Sequence, residues 1–125
     1  MKRIAALLLV LVAALGLTGC ATSPGQDGSS VVGQWGGVPD GAPVLVFSGE
    51  GSFTGNDGCN TLTGSWKQAN DVVTLENMAT TLMACEGVDT WLSRASTAKI
   101  EGMNLTVFDA QGGEIGVLAH EGTKN

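Results

Sequence analysis

Cys20 is the residue whose neighbours most fully specify a reaction. Leu17-Thr18-Gly19-Cys20 closes a leader that begins with Lys2 and Arg3 and continues as an apolar run over residues 4–17. Charged, then apolar, then small is the secretory order. A cysteine directly after Leu-Thr-Gly makes the site a lipobox. Signal peptidase is expected to cut before Cys20, and the thiol to carry a diacylglyceryl group. The apolar run falls short of the roughly 20 residues a comfortable span needs. The expectation is a protein anchored to a membrane without crossing it.

The other residues with chemical potential form no catalytic set. Cys59 and Cys85 remain once Cys20 is lipidated. In an exported domain two cysteines most simply pair. Closing a loop of about 25 residues is worth roughly 3.5 kcal/mol in the chain-entropy treatment. Two free buried thiols and an exchanging redox pair are the alternatives, but the spacing is no CxxC and no cationic cluster adjoins either thiol. His120 is the single histidine and tyrosine is absent, so the acid–base repertoire is thin. Ser52, Ser65, Ser93 and Ser96 stand in no nucleophile elbow. Asp57 with Glu86 or Asp89 reads as solvated surface charge. Asn56-Asp57-Gly58 resembles part of a calcium loop but lacks the further oxygen ligands; it reads as a tight turn. No catalytic residue, metal site or cofactor is expected. Trp66 and Trp91 read as core. Trp35 and Trp66 are also the candidate contacts for a ligand.

The elements that must carry these residues are small. Cleavage removes Lys2 and Arg3, leaving Lys67, Arg94, Lys99 and Lys124 against all 12 acidic residues, a formal balance of −8. Such a chain repels nucleic acid and anionic headgroups, so no nucleic-acid partner is expected. Its membrane contact is the acyl chains alone. The expected organisation is a signal peptide over residues 1–19, a flexible Gly/Ser/Pro-rich tether over 20–30, one domain over 31–121 and a tail over 122–125. The tether reaches at most about 35 Å when extended.

Short apolar runs between turn residues predict a mainly β fold with one helix. Strands are expected over residues 32–36, 44–48, 52–54, 61–67, 72–75, 99–101, 105–109 and 114–119. In the fourth, Leu62, Gly64 and Trp66 share one face. Val88, Trp91, Leu92 and Ala95 fall at i, i+3, i+4 and i+7, which predicts a helix. Glu86 and Asp89 near its start and Arg94 near its end suit the helix dipole. It should lay Trp91 and Leu92 on the sheet or plug one end of a barrel.

Gly58-Cys59-Asn60, Gly64 and Ala79-Thr80-Thr81-Leu82-Met83-Ala84-Cys85 together resemble the META-domain family, the HslJ-like group of small bacterial envelope proteins with a Met-Ala-Cys signature. The resemblance covers roughly residues 31–121. It implies a compact, strongly curved antiparallel sheet or small barrel-like fold with one helix, in an envelope or stress-associated setting. It brings no catalytic residues with it. Within the motif, Gly58 would permit a positive-φ turn and Asn60 would bond backbone at a strand start. Cys59 and Cys85 would tie that strand to the start of the helix, and Met83 would fill the space beneath them. Thr81 and Ala84 belong to the same motif.

The function expected from these features is that of a non-enzymatic, membrane-anchored envelope lipoprotein that binds or steadies another envelope component under stress. A different class of reading makes the domain a carrier that holds a small apolar ligand in a barrel, with Trp35 and Trp66 lining the mouth.

Overall fold

The computed structural model describes residues 29–122. Cys20, the leader, most of the tether and residues 123–125 lie outside the described residues. Eight strands follow one another: β1 (Gly33–Gly36), β2 (Val44–Phe47), β3 (Ser52–Asn56), β4 (Thr61–Ala69), β5 (Val72–Thr80), β6 (Thr97–Glu101), β7 (Asn104–Phe108) and β8 (Glu114–Ala119). Each pairs antiparallel with the next, in chain order. Such a meander needs only short turns. β8 returns to β1 through a bridge between Trp35 and His120. Gln34 donates to Gly122 at 2.9 Å and accepts from Glu121 at 2.8 Å. The sheet is thereby nearly closed into a barrel.

Alternation places the core. Leu45 and Phe47 from β2, Phe53 from β3, Leu62 from β4, Val73 and Leu75 from β5, and Leu105 and Val107 from β7 are all buried. The inward face of β4 is Leu62, Gly64 and Trp66, as the sequence pattern predicts. A Cβ on Gly64 would stand 2.6 Å from the Phe53 ring and 2.8 Å from the Glu76 carbonyl. Glycine at this position is a packing requirement.

Four strands differ from the sequence reading by two residues or more, β3 and β4 each running two residues farther, to Asn56 and Ala69. β5 continues through residues 76–80. A register shift opposite Gly64 places Asn77 at φ +54°, a bulge that absorbs one extra residue. β6 begins at Thr97, two residues earlier than expected.

The predicted helix is corrected. Residues 81–96 form an irregular strap with one 3-10 turn, Trp91–Arg94. The strap is fastened at Cys85 and again at Ser96, which accepts from Leu75 at 3.0 Å and donates to Phe108 at 2.8 Å. Between those points it crosses the end of the barrel. An α-helix advances only about 1.5 Å per residue, against about 3.3 Å for extended chain, so a helix covers the crossing poorly. Leu92 is fully buried and Trp91 lies against Gly116 of β8, where a Cβ would collide with the indole. The strap plugs one end, without the helix.

Candidate functional site

The meander puts its loops at two ends. Residues 37–43, 57–60, 81–96 and 109–113 cap one end, here the motif end. The turns at 48–51, 70–71 and 102–103, with both ends of the described chain, occupy the other. Ser29 and Val31 are bonded there to Gln68 of β4, at 2.7 and 3.0 Å.

At the motif end the loop between β3 and β4 is built by its own side chains. Asn56 Oδ1 accepts the Gly58 N–H at 2.7 Å, and Asp57 Oδ1 accepts the Cys59 and Asn60 N–H groups at 2.9 and 2.5 Å. Such Asx turns fix a tight reversal. Gly58 takes φ +99°, a conformation costly for a residue with a Cβ. Asp57 is fully buried, and its Oδ2 has no hydrogen-bond partner among the described residues. Glu86 and Asp89 are exposed on the strap. The carboxylates weighed as a pair are divided between interior and surface.

Asn60 then reaches across to the strap. Its Oδ1 accepts the Met83 N–H at 2.6 Å and the Thr81 hydroxyl at 2.9 Å, while its Nδ2 donates to the Met83 carbonyl at 3.3 Å. The Thr81 hydroxyl accepts the Thr61 N–H at 3.1 Å. Cys59 and Cys85 form a disulfide with a Cα–Cα distance of 5.9 Å. The bridge ties the β3–β4 loop to the strap; no helix starts there. Gly58, Cys59, Asn60, Thr81, Met83 and Cys85 thus belong to one clamp. Gly64 lies lower, beneath Phe53, and Ala84 is exposed.

The clamp corrects the role expected of Met83. Its backbone is held, but its side chain is 63 % exposed, and Leu82 beside it is 95 % exposed. Asn60 grips Met83 on both sides of its peptide chain, which leaves the side chain directed away from the barrel. Val38, from the loop between β1 and β2, and Val88, farther along the strap, are exposed as well. Around them stand Asp40, Glu86, Asp89, Asp109 and Glu114, with Arg94 the one basic residue that the described motif-end loops carry. The sequence holds no signal that Leu82 is outside, because burial of an apolar doublet beside a strand depends on a partner 23 residues away.

Trp35 is 2 % exposed; its Nε1 donates to the Val31 carbonyl at 2.7 Å, and its ring meets His120 edge-on at 4.6 Å. Trp66 is half-buried, packs edge-on against Phe47 at 5.9 Å and donates to the Ser48 and Ser52 carbonyls. Both indoles are engaged in packing and in anchoring backbone.

The family model described as the META domain matches residues 25–121. No curated protein and no solved structure matches the chain.

Proposed function

We propose, from the premise that the chain belongs to the META-domain family, that it is a non-enzymatic envelope lipoprotein that binds or steadies another envelope protein under stress. One observation carries the reading: Leu82 and Met83 stand exposed to solvent on a segment whose backbone is fastened at Thr81, Met83 and Cys85. Exposed apolar side chains that cost a disulfide and a buried asparagine to hold in place mark an interaction surface. Anchoring at Cys20 gives that surface a direction. The described chain begins at the end opposite the motif, so a lipid on Cys20 attaches through the tether at the end away from Leu82 and Met83.

The carrier reading has less support. Its two candidate contacts, Trp35 and Trp66, already serve the core and the backbone. In-cell crosslinking from the anchored protein, followed by mass spectrometry, separates the two. Recovery of a reproducible envelope protein is the expected result. Capture of no protein, together with an apolar lipid co-purifying at one per chain, would overturn it in favour of the carrier.

A further inference from the structure

β5 outgrows its neighbour. It has nine residues and β6 has five, and their pairing stops at Thr74 with Thr97. Above that point the outer side of β5 has no strand beside it. Thr81 donates to the Thr61 carbonyl at 3.2 Å, so its peptide group faces β4. Alternation then turns the N–H and C=O groups of Met78 and Thr80 the other way. Among the described residues neither has a backbone partner on that side. The strap makes no backbone hydrogen bond to them among the described residues. It leaves β5 toward Asn60 and Cys59, passes Val88 over Gly58, and crosses to Gly116 before descending to β6. Asn77, Ala79 and Thr80 are exposed.

The geometry points to this upper edge of β5 as a strand-addition site for an extended, basic segment of a partner protein; the inference rests on the binding function proposed above and names the partner's chemistry. An unpaired row of peptide groups takes an extended backbone, and side-chain contacts beside it give selectivity. Here Leu82 and Met83 continue directly from the edge and offer apolar contact. Five carboxylates besides the buried Asp57, against one guanidinium at this end, favour a cationic segment and disfavour a second copy of this acidic chain. The bulge at Asn77 limits the edge to a short stretch, as natural edges are limited against indiscriminate pairing.

The test uses the solubilised mature protein and a synthetic peptide of alternating valine and lysine. Three comparisons accompany it: the same peptide N-methylated on alternate nitrogens, a valine–glutamate peptide, and a Thr80→Pro variant. Proline at Thr80 removes an outward N–H without touching the β4 ladder. Expected are amide shifts centred on Met78 and Thr80, loss of binding on N-methylation, no binding of the acidic peptide, and binding several-fold weaker in Thr80→Pro, as the loss of one hydrogen bond implies. If the variant does not fold, the N-methylated peptide on the unaltered protein decides. Absence of binding, equal binding of the N-methylated or acidic peptide, or shifts elsewhere would overturn the proposal. So would a dimer formed through this edge that excludes the peptide. Crosslinking to a partner from Leu82 that survives Thr80→Pro would sink the edge while leaving the broader binding function intact.

Discussion

Asn60 and Met83, 23 residues apart in the chain, are joined twice: the Asn60 Oδ1 accepts the Met83 N–H and its Nδ2 donates to the Met83 carbonyl. These two hydrogen bonds, to the peptide groups on either side of Met83, make the family motif a clamp, and the clamp exposes the Met83 side chain. Replacing Asn60 by alanine removes both contacts and strands a buried loop. The predicted loss is about 1–3 kcal/mol of stability, read from urea denaturation of the reduced and oxidised proteins alike. An Asn60→Asp variant keeps the acceptor for Met83 and should lose less. Equal stability of Asn60→Ala and the parent would contradict the clamp.

The disulfide closes a separation of 26 residues. Reduction, or a Cys59→Ala/Cys85→Ala double variant, is predicted to cost roughly 3–4 kcal/mol, a large part of the usual 5–15 kcal/mol for a domain. Non-reducing peptide mapping of exported protein should find the two cysteines linked. Ready alkylation of both without reductant would refute the pairing.

Gly64 and Gly116 test the packing. Gly64→Ala drives a methyl into the Phe53 ring, and Gly116→Ala drives one into Trp91. Overpacking of this kind costs about 1–3 kcal/mol. For Gly116→Ala the Trp91 emission should also shift to the red as the indole is lifted from β8. An unchanged spectrum would mean that the 3-10 turn is not seated there.

The barrel was legible wherever its residues alternate: β4 reads directly from Leu62, Gly64 and Trp66, and the closing hairpin from its Gly-rich turn. Reading failed where one residue breaks the period. Asn77 bulges out of β5, so the alternation that ends at Leu75 resumes out of phase and the strand looks finished. The helix was misread for a related reason. Val88, Trp91, Leu92 and Ala95 have helical spacing, yet Val88 packs over Gly58 while Leu92 is buried in the barrel. A short helix is marginal by itself, and two fastenings across the barrel end outweigh it. At the site, Cys59 and Cys85 pair as their number and expected export imply. The exposure of Met83 and Leu82 was not legible, because it depends on what Asn60 does at long range.

Anchoring has its own test. Intact mass of Cys20 in native material should carry the diacylglyceryl group, and a Cys20→Ser variant should be released or remain as precursor. An unmodified thiol at Cys20 would remove the basis for any orientation at a membrane.

Leu82 and Met103 give the most direct test of the central claim. Both are exposed apolar side chains, at 95 % and 67 %, and they lie at opposite ends of the barrel. A photo-crosslinking residue is placed at one position or the other in the anchored protein, and adducts are identified from living cells. The account predicts a reproducible envelope-protein adduct from position 82 and none from position 103. Equal capture from both positions, or capture from Met103 alone, would contradict it.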